Sequence, residues 1–102
     1  MIERDIQTQI LDALRACGFW AHRLNTGRFG SRHVEAGLGK GSPDVVVILR
    51  PSGRFVGLEI KRPGQKPKAE QVAWGEEVAA HGACYAVVTC VADALAAVRT
   101  AR

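Results

Sequence analysis

The sequence predicts an α/β fold, and three observations support that prediction. Residues 3–16 repeat apolar side chains at helical spacing, and a second helical pattern covers residues 68–81. Between them, two apolar runs at residues 45–49 and 54–58 flank a short turn, as in a pair of strands. Apolar residues make up 47% of the chain and charged residues 24%, an ordinary globular composition. At 102 residues we expect one domain over residues 1–102.

The N-terminal third predicts a helix, a strand and a long loop. Apolar residues recur every four positions from Ile6 to Leu14, and Gly18 follows where helices commonly end. The loose alternation from Phe19 to Leu24 fits a strand. Residues 25–41 contain five glycines and read as a loop. A loop this long in a small domain is usually functional, and a disordered connection is the alternative.

A β-hairpin is predicted at the centre of the chain. The unbroken apolar run at residues 45–49 fits a strand covered on both faces, by helices or by a second subunit. Residues 54–58 form the second strand. Between the two, Pro51 and Gly53 stand at positions that favour a type I turn.

The turn decides which side chains face each other across the hairpin. If Arg50 faces Gly53, paired residues have numbers that add to 103, and Asp44 then lies opposite Glu59. The Cβ atoms of such opposed residues are roughly 4.5–5.5 Å apart. Lys61 follows Glu59 by two residues and therefore emerges on the same face. A bulge near the turn would shift this pairing by one residue.

The C-terminal third predicts a helix, a strand and a helix. The first helix runs from about Lys68 to His81 and ends at Gly82. Residues 83–89 read as the last core strand, and residues 91–99 as a short alanine-rich helix. The predicted element order is therefore helix, strand, strand, strand, helix, strand, helix.

The opposed carboxylates predict a metal site. Asp44 and Glu59 would repel each other at this distance unless a positive charge lay between them. Carboxylate oxygens are the ligands that Mg²⁺ prefers, and Mg²⁺ keeps positions open for water and phosphate oxygens. Lys61 would place an ammonium group beside the metal, where it could orient or deprotonate a water molecule and stabilise negative charge.

These residues carry a resemblance to a known nuclease family. The stretch Gly41-Ser42-Pro43-Asp44, followed by Glu59-Ile60-Lys61, resembles the signature of the PD-(D/E)XK nuclease superfamily. Glu3-Arg4-Asp5-Ile6-Gln7 heads the first helix, and Gln71-Val72-Ala73-Trp74 follows the lysine. This order resembles the VRR-NUC family, in its stand-alone phage and bacterial form, over nearly all of the chain.

The resemblance implies a fold and a reaction. The fold is the restriction-endonuclease-like core, αβββαβ with a mixed central sheet and flanking helices. The reaction is hydrolysis of DNA phosphodiesters with Mg²⁺ or Mn²⁺ held by Asp44, Glu59 and the carbonyl of Ile60. Lys61 would assist the attacking water. Gln71 would lie near the active site and hydrogen-bond a phosphate, the water or Lys61.

Glu3 has two interpretations. An acidic residue in the first turn of a helix complements the helix dipole. The family resemblance instead implies that Glu3 lies near the metal, directly or through water, with Asp5 as the alternative if the alignment is shifted by two residues. Glu3 and Gln7 are four residues apart and share a face of the predicted helix.

The distribution of charge suits a polyanionic partner. The chain has a net charge of +4, and residues 23–68 hold ten Lys/Arg against three Asp/Glu, which leaves the remainder acidic. An ordinary solvated surface is the alternative. We interpret the loop at residues 25–41 as a flap that contacts DNA. The expected DNA-binding residues are Arg28, Arg32, Lys40, Arg62, Lys66 and Lys68.

The sequence also gives expectations about cellular location, subunit number and the form of the DNA. No apolar run approaches the roughly 18 residues of a membrane span, and the charged start lacks the pattern of a signal peptide, so we expect a cytoplasmic protein. By analogy with stand-alone family members, we expect a homodimer that acts on branched DNA, such as Holliday junctions or flaps. The alternatives are a nucleic-acid-binding module with the same fold that does not cleave, and a structural subunit of a larger assembly.

Overall fold

The computed structural model describes residues 1–24 and 38–101 in full and the backbone of residues 27–29 and 32–34. Within these residues the chain forms three helices and six strands. In chain order they are α1 (Glu3–Ala16), β1 (Trp20–Arg23), β2 (Gly27–Phe29), β3 (Arg32–Val34), β4 (Val45–Ile48), β5 (Phe55–Ile60), α2 (Ala69–Ala80), β6 (Cys84–Val88) and α3 (Val91–Thr100).

The main sheet has four strands in the order β1-β4-β5-β6. The β1–β4 and β4–β5 pairs are antiparallel, whereas β6 runs parallel to β5. A parallel pair needs a crossover connection, and α2 supplies it. The sheet is therefore mixed, and the predicted α/β fold with a mixed central sheet and flanking helices is confirmed.

Helices α1 and α3 pack together over one face of this sheet. Their apolar stripes and the alternate residues of the strands form the main core, in which Leu14, Leu58 and Ile60 are fully buried. Burying each such side chain is worth about 1.5–3 kcal/mol. Because Leu58 and Ile60 point into this core, Gly57 and Glu59 must point to the opposite face, toward α2.

Helix α2 and the segment before β4 cover the second face of the sheet. The ring of Trp74 lies 6.1 Å from the rings of both Phe55 and Tyr85, measured between centroids. Gly75 lies so close to Tyr85 that a Cβ atom there would overlap the tyrosine ring. A Cβ atom on Gly57 would lie only 2.8 Å from Cγ of Pro43. The small residues thus let the helix and the segment before β4 approach the sheet closely.

The central hairpin has the predicted register but not the predicted turn. The pairs from Val45–Leu58 to Ile48–Phe55 all have numbers that add to 103. The connection is not the expected type I turn, because the N–H of Gly53 donates to the carbonyl of Leu49, four residues back, at 2.7 Å. Gly53 also has a φ of +75°, a left-handed conformation, so the glycine is used for its conformational freedom. The Arg50–Pro51 peptide bond is cis.

The stretch predicted to be a loop at residues 25–41 contains regular structure. Strands β2 and β3 pair antiparallel, with Gly27 opposite Val34 and Phe29 opposite Arg32. Each strand has only three residues, too few for an alternating pattern to be recognised in the sequence. The remaining predicted flap residues, 25–26, 30–31 and 35–37, lie outside the described residues. No helix in the described part of the chain is long and apolar enough to cross a bilayer.

Candidate active site

Asp44 and Glu59 meet where β4 begins and β5 ends. Asp44 directly precedes the Val45–Leu58 pair, and Oδ2 of Asp44 accepts a 2.8 Å hydrogen bond from the backbone N–H of Ile60. The carbonyl of Asp44 accepts a 3.0 Å bond from the N–H of Leu24, at the end of β1. Hydrogen bonds from two neighbouring strands therefore fix the aspartate.

Glu59 is a buried carboxyl beside a second carboxyl. The residue is 1% exposed. Its pKa is raised from 4.5 to about 8, first by burial and then by hydrogen bonding to Asp44 and the Asp44 charge. The charge of Lys61 lowers this pKa and the charge of Glu3 raises it further, so the lysine offsets only part of the effect. Without an added positive charge, the raised pKa favours the protonated form of Glu59 at neutral pH.

Lys61 is buried on the same face of β5. The residue is 5% exposed, and its Nζ lies 3.9 Å from Oε2 of Glu59. The backbone N–H of Lys61 donates to the carbonyl of Val88 at 3.0 Å, which continues the β5–β6 ladder past the last paired residues. The sheet thus directs the ammonium group toward Glu59, as the alternation of strand residues predicts.

The carbonyl of Ile60 is a third oxygen at this place. In a strand the N–H and C=O of one residue point to the same neighbour. Because the N–H of Ile60 bonds Asp44, its carbonyl also points toward the start of β4, beyond the last paired residues. Asp44 and Ile60 both line a cleft of about 540 Å³, and the other lining residues are Glu3, Arg4, Gln7 and Arg23.

This donor set fits a hard divalent cation. Oε1 of Glu59 is buried and has no hydrogen-bond partner within the described residues. Two carboxylates and a carbonyl are oxygen ligands, and Mg²⁺ commonly binds one or two carboxylates while water and phosphate fill its other positions. Within residues 1–24 and 38–101, no three or more His, Cys, Asp or Glu side chains form a metal-binding group. The oxygens that could hold such a cation are those of Asp44, Glu59 and the Ile60 carbonyl.

The first turn of α1 reaches the same cleft. Glu3 lines it, and its charge acts on Glu59. The helix is oriented by Ile6 and Ile10, which are buried in the core and leave Glu3 and Gln7 together on the flank that faces Asp44. Asp5, the alternative considered from the sequence, is exposed and does not line the cleft.

Gln71 lies at the start of α2, where it has a structural partner. Its Oε1 accepts a 2.8 Å hydrogen bond from the backbone N–H of Lys68 and so caps the first turn. Gly41 packs against this turn, since a Cβ atom there would overlap the carbonyl of Glu70. Gln71 does not line the cleft that contains Asp44. Its expected contact with a phosphate, the attacking water or Lys61 stays a prediction.

Two arginines and a glutamine of the cleft were not predicted as site residues. Arg23 donates from Nε to Oε1 of Gln7 at 2.6 Å and from Nη2 to Oγ1 of Thr8 at 2.9 Å. Arg4 lines the same cleft. Arg23 reaches it because β1 pairs with β4, which places Arg23 opposite Val45. No local pattern signals this pairing, although the shared helical face of Glu3 and Gln7 was visible in the sequence.

The predicted DNA-binding residues divide into two groups. Lys40, Arg62, Lys66 and Lys68 are exposed. The last three occupy the connection between β5 and α2, directly after Lys61, at the end of the sheet that holds the cleft. Arg28 and Arg32 lie on β2 and β3, and their side chains are outside the described residues.

Comparison with known proteins connects this geometry to a family. The sequence pattern of the VRR-NUC domain matches residues 3–92. The chain belongs to the VRR-NUC family. A solved structure titled "VRR_NUC domain" matches with a TM-score of 0.68 at 24% identity, covering 95% of this chain and 94% of that chain, and this likeness shows the shared fold. A comparison with curated proteins finds no match.

Membership confirms the resemblance seen in the sequence and has one functional consequence. VRR-NUC is a nuclease-type family, so its match over residues 3–92 supports a nuclease role for this chain. A nuclease domain implies DNA as its substrate.

Proposed function

We propose that this chain is a metal-dependent DNA endonuclease in which Asp44, Glu59 and the carbonyl of Ile60 hold Mg²⁺ or Mn²⁺. One observation supports this most. The hairpin register brings Asp44 opposite Glu59, and the buried ammonium group of Lys61 lies 3.9 Å from Glu59. When bound, a divalent ion lowers the pKa of a coordinated water and neutralises charge on the scissile phosphate. The raised pKa of Glu59 is the expected property of a ligand pair before a cation is added.

Lys61 is the residue that acts on the attacking water. The residue is 5% exposed, and its ammonium group lies 3.9 Å from the Glu59 carboxylate. An ammonium group held beside the scissile phosphate can hydrogen-bond the attacking oxygen and stabilise the negative charge that develops on the phosphate. Its burial makes this interaction stronger than one in bulk water.

Arg23 and Arg4 are placed to hold the DNA backbone at the cleft. The two hydrogen bonds from Arg23 to Gln7 and Thr8 fix the direction of its guanidinium group. A guanidinium group oriented in this way is suited to a phosphate oxygen. Glu3 would contact the metal directly or through water. Gln71, at the start of α2, would hydrogen-bond a phosphate, the attacking water or Lys61.

The basic connection after Lys61 extends this surface. Arg62, Lys66 and Lys68 follow the site directly in the chain and are exposed, so they can contact phosphates farther along the strand. Lys40 precedes Asp44 and joins the same set, and Arg28 and Arg32 would contribute from β2 and β3. Contacts of this kind position DNA without reading its sequence.

We further propose a homodimer that cleaves branched DNA, such as a Holliday junction or a flap. The proposal rests on the stand-alone members of the family that the chain resembles, and on its size. A chain of 102 residues offers little surface for reading bases, whereas a symmetric pair would present two clefts to a branched duplex.

Cleavage assays with matched variants test this function. Labelled linear, flap, fork and four-way DNA are incubated with and without Mn²⁺. Asp44→Asn and Lys61→Ala should each abolish cleavage and leave DNA binding largely intact. Asp12→Asn, on the exposed side of α1, is the control and should cleave like the original protein. Full activity of both site variants would refute the site, and DNA binding without cleavage by the unaltered protein would identify a binding module.

A further inference from the structure

Three buried polar atoms lack hydrogen-bond partners within the described residues. They are Oγ of Ser42, Oε1 of Glu59 and the hydroxyl oxygen of Tyr85. A polar atom that is buried without a partner carries a free-energy penalty, so such atoms are few in folded proteins and each needs an explanation. Only Glu59 has a role in the proposed reaction; the two hydroxyl groups do not.

The three atoms belong to Ser42, in the segment before β4, and to Glu59 and Tyr85 on β5 and β6, and Gly57 lies between these segments. Pro43, which follows Ser42, lies against Gly57 on the side of β4. Tyr85 is paired with Gly57 on the side of β6. Glu59 is two residues farther along the same face of β5, so Tyr85 and Glu59 are diagonal neighbours in the sheet. Diagonal neighbours are within reach of an aromatic side chain.

The position of the tyrosine ring is fixed by α2. The ring lies against the backbone of Gly75, and its centroid is 6.1 Å from that of Trp74. Phenylalanine would fill the same space without bringing a polar atom into it. The pKa of Tyr85 is raised to about 12, first by burial and then by the charges of Glu59 and Asp44, which shows that the hydroxyl group lies in the field of the carboxylates.

We propose that the hydroxyl groups of Tyr85 and Ser42 and Oε1 of Glu59 bind one buried water, and that Tyr85 thereby positions Glu59 as a metal ligand. A buried water typically makes about three hydrogen bonds to polar groups that lack other partners. The chemistry is complementary, because a phenol donates, a carboxylate oxygen accepts and a serine hydroxyl does either. A carboxylate has about four lone-pair sites, so a water on Oε1 of Glu59 leaves other sites for a cation. The positioning of a metal ligand rests on the proposed function; the water site does not.

The first test measures the effect of Tyr85 on the metal. Groups that hydrogen-bond a metal ligand typically change metal affinity about 10–100-fold when removed. Tyr85→Phe should therefore weaken Mn²⁺ binding, measured by calorimetry, by about this factor, and Ser42→Ala should weaken it in the same direction. The affinity for DNA without metal should not change, because neither Tyr85 nor Ser42 is among the residues proposed to contact DNA.

A matched control removes a hydroxyl group elsewhere. Oγ1 of Thr100 donates to the carbonyls of Ala96 and Ala97 on α3. The next residue, Ala101, accepts a hydrogen bond from Arg54 at the turn end of the hairpin, so Thr100 lies near the end of the sheet opposite the site. Thr100→Val should leave Mn²⁺ affinity unchanged. Equal Mn²⁺ affinities for the original protein and Tyr85→Phe would overturn the positioning role.

The second test needs no metal. Melting temperatures of the metal-free protein are measured for Tyr85→Phe, Glu59→Gln and the double variant. Residues that share one hydrogen-bond network give non-additive changes, so the double variant should differ from the sum of the two single variants. Additive changes would overturn the water site. If the original protein bound no Mn²⁺, the proposed function would fail, and this second test would still decide the water site.

Discussion

Oδ2 of Asp44 accepts a 2.8 Å hydrogen bond from the backbone N–H of Ile60, and this bond joins the start of β4 to the end of β5. It has two effects on the site. It holds one carboxylate opposite Glu59, and it turns the Ile60 carbonyl toward the same place. The candidate metal ligands are therefore positioned by the backbone of the sheet itself, which is a rigid support for a catalytic centre.

The stability of the metal-free protein should depend on pH through Glu59. Its pKa is raised from 4.5 to about 8 on folding, so the folded state binds this proton more tightly than the unfolded state. This contribution is fully present below about pH 4.5 and is lost as the pH rises through about 8. The melting temperature should fall over this interval, as followed by circular dichroism.

Glu59→Gln should remove most of that decline, because glutamine does not titrate. Glu76→Gln, which alters an exposed residue of α2, is the matched control and should keep the decline. An equally steep decline in Glu59→Gln would show that the buried carboxyl is not its source.

Arg23 should contribute to DNA binding through a phosphate. Arg23→Gln should weaken the binding of a short duplex about tenfold and reduce the slope of log K against log salt by about 0.9, as expected for one lost phosphate contact. Fluorescence anisotropy at several salt concentrations measures both quantities. Arg99→Gln, on the exposed last turn of α3, should change neither. Equal effects of the two variants would place Arg23 outside the DNA interface.

Gln7 and Thr8, which accept hydrogen bonds from Arg23, permit a second test of its role in DNA binding. Gln7→Ala removes the 2.6 Å hydrogen bond from the guanidinium group but keeps its charge. This variant should weaken DNA binding less than Arg23→Gln and leave the salt slope almost unchanged, because the number of phosphate contacts is the same. A loss of slope in Gln7→Ala would mean that the glutamine itself is needed for the phosphate contact.

Gly75→Ala should destabilise the protein although it lies in a helix. Helix propensity alone would make alanine more stable than glycine by about 0.5–1 kcal/mol. The added Cβ atom would overlap the Tyr85 ring, and overpacking of this kind typically costs about 1–3 kcal/mol. A lower melting temperature is therefore expected in a thermal scan, and a higher one would contradict the close packing of α2 on β6.

The parts that the sequence predicted well are local. Two apolar runs and a turn of four residues lie within a short stretch, so the opposition of Asp44 and Glu59 follows from a simple count. The alternation of strand residues then places Lys61 on the correct face. The first helix was recognisable from its periodicity, and the last from its alanine-rich composition.

The parts that were missed depend on distant contacts or on weak local signals. Arg23 enters the cleft only because β1 pairs with β4 across the intervening residues. Strands β2 and β3 are too short to show a pattern. The turn has the expected Pro51 and Gly53, but the N–H of Gly53 bonds the carbonyl of Leu49 and not that of Arg50. Residue type alone does not distinguish these two hydrogen bonds.

Calorimetric titration of Mn²⁺ into the metal-free protein tests the central claim most directly. The account predicts binding to the unaltered protein that is lost in both Asp44→Asn and Glu59→Gln and kept in Asp12→Asn. Because bound metal displaces the proton held by the carboxyl pair, protons should be released on binding at neutral pH, which a comparison of two buffers detects. Binding that survives both substitutions would contradict the account.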